Sequence, residues 1–237
     1  MVAKQQIKAY RRDALTQYVT PVLTDTALKT SGAWLAFIGI LYWYLMLQSL
    51  PGLMLKQSNS QHPQVMLMWL IGWLGLLATL RFIKPQPAWL TPVKWSKAFG
   101  LTTLTVVGLF GSQMALSWFN RAVSGQVMTP NNAVFEALLN QPQLTLLVMI
   151  DALVLGPLTE ELVFRQWCIE RLLARRSVGT RIGISSALFA TIHLTSTPVG
   201  WLIYFVCGCL LATLYVKTRQ LRWSFGAHML INLAALL

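Results

Sequence analysis

Charge is scarce in this sequence. Only 11% of the 237 residues are charged, against about a quarter in an ordinary soluble domain. A water-soluble globule is excluded on that ground, and so is a disordered chain, which needs abundant charge and few apolar residues. Cysteine is rare as well: Cys168, Cys207 and Cys209 lie in or beside apolar runs. Their spacing fits neither a disulfide framework nor a metal knuckle. Cys207 and Cys209 are about 200° apart around a helix and read as packing residues. There is no Gly/Ser linker, internal repeat or low-complexity tract, which leaves a single integral membrane domain over 1–237.

What is present is apolar: 55% hydrophobic residues and ten tryptophans. Runs of about 18 or more such residues are the signature of membrane-spanning helices. Spans are expected at roughly 33–50, 65–83, 98–119, 143–165, 182–196, 200–216 and 223–237, giving an all-α polytopic bundle of seven helices. The first run begins only near Trp34, behind a basic segment at 1–30, and reads as a retained span rather than a cleavable signal. Pro51 and Gly52 end it. The connection 123–141 is read as a polar loop.

Nineteen Lys and Arg against seven Asp and Glu leave a formal charge of +12. With the N-terminus inside, all the basic residues except Lys56 and Arg121 fall on cytoplasmic segments. The positive-inside rule therefore accounts for the charge, together with attraction to anionic lipid, and nucleic acid is not needed as a partner. The expected location is a cell membrane, crossed several times, of the bacterial plasma-membrane kind. Trp118, Trp167, Trp201 and Trp223 stand at span ends, where amphipathic rings belong.

Against this background the informative residues are the ionisable groups at membrane depth, each costly to bury. They are Asp151, Glu160 and Glu161 in the fourth span, His193 in the fifth, and His228 with Asn232 in the seventh. His62 sits in an outside loop beside Pro63. At 1.5 Å per helical residue, Glu160 lies about 16 Å from Arg171, His193 about 18 Å from Arg181, and His228 and Asn232 about 9 and 15 Å from Arg222. All share one layer of the cytoplasmic half if the fourth helix runs on past Arg165 toward Arg171.

Helical phase sorts these residues. Glu161 and Arg165 are i, i+4 and can pair, which lowers the cost of burying either. Glu160 is rotated about 100° from Glu161 and escapes that pairing. His228 and Asn232 are again i, i+4 and face one patch. A carboxylate withdrawn from water and an imidazole both suit general acid–base work, and an Asn amide can donate to a developing oxyanion. A structural ion pair explains Glu161 well and Glu160 poorly. Asn232 serves equally as a bridge between helices, Phe189 as packing against the site, and Asp151 is left undecided.

These residues also resemble a family. Glu160-Glu161-Leu-Val-Phe-Arg165 is similar to the Glu-Glu-x-x-x-Arg motif of the CPBP intramembrane proteases, which include CAAX proteases and bacteriocin-processing enzymes. Phe189-Ala-Thr-Ile-His193 resembles their Phe-x-x-x-His motif, and His228-Met-Leu-Ile-Asn232 their His-x-x-x-Asn motif. The match lies within about 131–237. Gln166 stands where many bacterial members have Gly after the motif Arg, a departure that bears on backbone packing more than on chemistry. The resemblance implies an α-helical bundle and an endopeptidase acting on a peptide or membrane-protein substrate, with Glu160, Glu161, His193, His228 and Asn232 catalytic and Arg165 and Phe189 in support. A non-catalytic immunity or regulatory protein of the same fold is the alternative, and a proton-coupled transporter is a third. This reading makes no cofactor certain and leaves metallo- and glutamate-type chemistry open. Zn2+ is nonetheless a candidate, with Glu160, Glu161, His193 and His228 as ligands, since catalytic zinc takes His and Glu plus water.

Overall fold

A computed structural model describes residues 31–49, 63–82, 93–142 and 144–236. The basic segment 1–30, Pro51, Gly52, Lys56, His62 and Lys84 lie outside them. The chain divides into two compact units, Met1–Gly39 and Ile40–Leu237. The described part of the first is the opening of helix α1 (Ser31–Ser49), where Trp34 and Phe37 meet edge to face at 5.8 Å.

The described residues of the second unit hold the rest of α1 and seven further helices: α2 (Pro63–Phe82), α3 (Trp95–Ser124), α4 (Pro130–Leu139), α5 (residues 145–172), α6 (Val178–Thr191), α7 (Pro198–Thr218) and α8 (Leu221–Leu236). Every regular element among the described residues is helical. Among the described residues three helices, α1, α3 and α7, are long and apolar enough to cross a membrane, and α2 contributes a shorter apolar stretch, Leu67–Leu80. Large apolar side chains of α3 such as Phe99, Leu104, Met114 and Trp118 are exposed. Water penalises such a surface and lipid does not.

Three features differ from the sequence expectation. First, the connection 123–141 contains α4, whose start is signalled locally: the Thr129 hydroxyl accepts from the Asn132 N–H at 3.4 Å and Pro130 occupies the first helical position. Second, the fourth predicted span, 143–165, continues to Leu172. Third, α6 stops at Thr191 instead of running to 196, so His193 lies just past a helix end.

The backbone of α5 is not uniformly α. Wider π turns occupy Asp151–Leu155 and Glu161–Leu172, with an α turn at Gly156–Glu160 between them. Turns of this kind are uncommon and recur at functional sites. Here the Gly156 N–H reaches five residues back, to the Asp151 carbonyl. The Ala152 carbonyl thereby loses its ordinary partner, and Pro157, next in line, has no N–H to give. A side chain of α8 supplies the missing donor, as described below.

Packing around α5 places the site. Leu109, Leu211, Leu214, Ala227 and Ile231 form a core joining α3, α7 and α8, while Ile169, Ala212 and Tyr215 join α5 to α7. Gly208 sets the spacing of α6 and α7, because a Cβ there would stand 3.0 Å from the Ser186 Cα and 3.3 Å from the Phe189 ring. The Ser185 hydroxyl donates to the Phe164 carbonyl at 2.7 Å and ties α6 to α5. On the other side α2 grips α1: the Trp69 indole donates to the Leu47 carbonyl at 3.1 Å, and Gly72 makes room for the Leu47 side chain.

Candidate active site

All three motifs lie on α5, α6 and α8 or at their ends, and the fold draws them to one cavity of about 820 Å³. Its polar wall includes Tyr44, Asp151, Glu160, His193, His228 and Asn232. Glu161 and Arg165 stand behind that wall, both 0% exposed. The two adjacent glutamates thus separate by position: Glu160 closes an α turn and faces the cavity, and Glu161 opens a π turn and faces the packed interior.

Glu161 holds a buried network. Its Oε2 lies 3.3 Å from the Arg165 Nε and its Oε1 3.1 Å from the His228 Nδ1. The Arg165 guanidinium also sits over the Phe189 ring, 5.0 Å from its centroid, where the π face attracts a cation. Phe189 touches both histidines as well, with ring centroids 4.6 Å from His193 and 5.8 Å from His228. Phe189 is a packing hub, and Arg165 a charge that Glu161 balances.

His228 bridges the two carboxylates. Opposite the Glu161 contact, its Nε2 lies 3.5 Å from the Glu160 Oε2. That separation is too long for a strong hydrogen bond, so the Nε2 edge is turned to Glu160 and the cavity without being locked. The other Glu160 oxygen, Oε1, accepts from the Tyr44 hydroxyl of α1, and that hydroxyl accepts in turn from the Gln48 amide at 3.1 Å. Tyr44 and Gln48 went unnoticed in the sequence. The signal that marks them is a Tyr–Gln pair at i, i+4 in an otherwise apolar run.

His193 is half-buried on the same cavity. Its Nδ1 lies 2.7 Å from the Phe189 carbonyl; a carbonyl only accepts, so Nδ1 carries the proton and Nε2 of a neutral ring is the acceptor. Tyr204 stacks on the imidazole at 4.1 Å between centroids. The Tyr204 hydroxyl is held by Thr129 at 2.9 Å and by Asn132 at 3.2 Å, so α4 fixes the ring that flattens His193.

Asn232 donates from Nδ2 to the Ala152 carbonyl at 2.8 Å. This is the carbonyl stranded by the π turn and Pro157, and the contact makes Asn232 a strut between α8 and α5. One of its two amide hydrogens is committed there, and the residue also lines the cavity. Asp151, undecided in the sequence, is buried on the cavity wall, and its Oδ1 has no hydrogen-bond partner among the described residues.

The four zinc candidates do not assemble into a ligand set. Glu161 is turned away from the cavity, onto Arg165 and His228. Among the described residues no three His, Cys, Asp or Glu side chains converge as metal ligands. The arrangement offers a buried carboxylate, two imidazoles and an amide on one cavity, which is equipment for activating water against a carbonyl.

No curated protein and no solved structure matches the chain. Residues 142–234 match the family model described as type II CAAX prenyl endopeptidase Rce1-like. That stretch contains all three motifs, and over it the chain is similar to that family.

Proposed function

We propose that this chain is an intramembrane endopeptidase that crosses the membrane several times, with its N-terminus in the cytoplasm. The observation carrying the proposal is the meeting of Glu160, His193 and His228 on one cavity, inside the segment that matches an endopeptidase family. Glu160 is the base. It takes a proton from a water held between its Oε2 and the His193 Nε2. The water oxygen bonds to the peptide carbonyl carbon, and the second Asn232 N–H, beside His228, receives the oxyanion. The C–N bond then breaks as Glu160 passes its proton to the leaving amine. Glu161 and Arg165 touch no reacting atom; they hold His228 in place.

The mechanism is read as glutamate-type, and no step here is routed through a metal. The rest of the cavity wall is largely apolar, with Leu138, Val148, Ile203 and Ile231 among its residues. Such a wall suits a membrane-embedded or lipidated peptide better than a polar one. The test is cleavage of a prenylated peptide with a CAAX tail by the protein in liposomes. Cleavage by wild type and none by Glu160→Gln is expected; equal cleavage by both removes Glu160 as the base.

A further inference from the structure

Glu160 is served by α1, a helix outside the 142–234 segment that matches the endopeptidase family. Tyr44 is buried on the cavity wall and donates to the Glu160 Oε1, with Gln48 donating to the Tyr44 oxygen at 3.1 Å. The order of donors matters. Gln48 fills a lone pair of the phenol oxygen, which leaves the phenol hydrogen free to point at the carboxylate. Packing alone does not need that hydroxyl: the ring already meets Trp73 edge to face at 5.9 Å, a contact that phenylalanine would keep. A buried tyrosine hydroxyl is placed where it finds a partner, and here the partner is the carboxylate that faces the cavity.

Two further observations fix the pair in place. The hydroxyl can reach Glu160 only if α1 closes tightly on α5, and Gly156 permits that. A Cβ at this position would stand 3.3 Å from the Gln48 Nε2 of α1. On the far side of α1, Trp69 and Gly72 hold the backbone and side chain of Leu47, the residue next to Gln48.

We infer that Tyr44 and Gln48 are positioning residues for Glu160: they hold one carboxylate oxygen so that the other is aimed at the water beside His193. This inference rests on the peptidase reading for its kinetic consequence, although the hydrogen bond can be tested without it. A hydrogen bond to a charged group is worth about tenfold to a hundredfold in an equilibrium. Tyr44→Phe should therefore lower kcat by about that factor while KM stays within about twofold. Gln48→Ala should lower kcat by a smaller factor, and the double variant should match Tyr44→Phe alone, because Gln48 acts through Tyr44.

The experiment is to assay wild type, Tyr44→Phe, Gln48→Ala, the double variant and Glu160→Gln, all full length in liposomes, on the prenylated CAAX peptide. In parallel, the infrared carboxylate band of Glu160 is isolated as the difference between each protein and its Glu160→Gln counterpart. The band should move in Tyr44→Phe and move less in Gln48→Ala. An unmoved band overturns the inference whether or not the peptide is cut. So does a raised KM at constant kcat, which would make Tyr44 a substrate contact, or additive losses in the double variant. Cleavage at the wild-type rate by Glu160→Gln overturns the peptidase mechanism instead and leaves the band shift as the test of the hydrogen bond.

Discussion

Removing Glu161 should damage stability more than any other change at the site, and the structure gives the size of the effect. Arg165 and Glu161 are both 0% exposed and lie 3.3 Å apart, Nε to Oε2. In Glu161→Ala the guanidinium loses its counter-charge and keeps only the Phe189 ring face. Breaking a buried pair from one side costs about 3–5 kcal/mol, since the remaining charge stays out of water. The His228 Nδ1 also loses its acceptor at 3.1 Å, worth about 1–3 kcal/mol. The two losses share one network and do not add fully, so about 4–6 kcal/mol is expected. For a chain of this size each kcal/mol moves Tm by about 2–4 °C, a fall of roughly 10–20 °C in all. Cys168 and Cys207 are buried, and their exposure to a thiol-reactive dye during heating in detergent reads the transition. Replacing both partners, Glu161→Leu with Arg165→Met, removes the buried charges together and should recover most of the loss. A Glu161→Ala Tm within about 2 °C of wild type, or a double variant as unstable as the single, would refute the reasoning.

Other outcomes can be stated briefly. Asn232→Ala should cost about 1–3 kcal/mol in unfolding experiments, because the Ala152 carbonyl loses its donor. The cost should shrink in a Pro157→Ala background, where a backbone N–H is available again. Gly208→Val should separate α6 from α7 and cost about 1–3 kcal/mol by overpacking against the Ser186 backbone, seen as a lowered Tm. Membrane tagging should place the N-terminus and residues 171–181 on the cytoplasmic side and the C-terminus on the other. A cytoplasmic C-terminus would mean a miscounted span near 182–216.

The parts of the site legible in the sequence are those carried by local helical phase. Glu161 and Arg165, four apart on one helix, pair as the spacing requires. The separation of Glu160 from that pair was legible for the same reason. The shared patch of His228 and Asn232 was only half legible. Both turn toward α5, yet Asn232 spends a donor on a carbonyl whose vacancy depends on a π turn meeting Pro157. No hydrophobic periodicity encodes that coincidence. The end of α6 before His193 was hidden because the apolar pattern continues through Leu194 while the backbone does not. α4 was hidden for the opposite reason: its Asn-rich opening resembles a loop, although Thr129 and Pro130 carry the start signal. Tyr44 escaped because an aromatic residue in an apolar run usually packs, and its partner lies 116 residues away.

The central claim is that Glu160 is the base of a peptide hydrolysis, and single-turnover cleavage tests it most directly. Wild type and Glu160→Gln, both shown to be folded by their melting curves, are mixed in liposomes with a prenylated CAAX peptide carrying a fluorophore and a quencher on either side of the cleaved bond. The account predicts a fluorescence rise with wild type and none above background with Glu160→Gln. A rise at the wild-type rate in Glu160→Gln would contradict it.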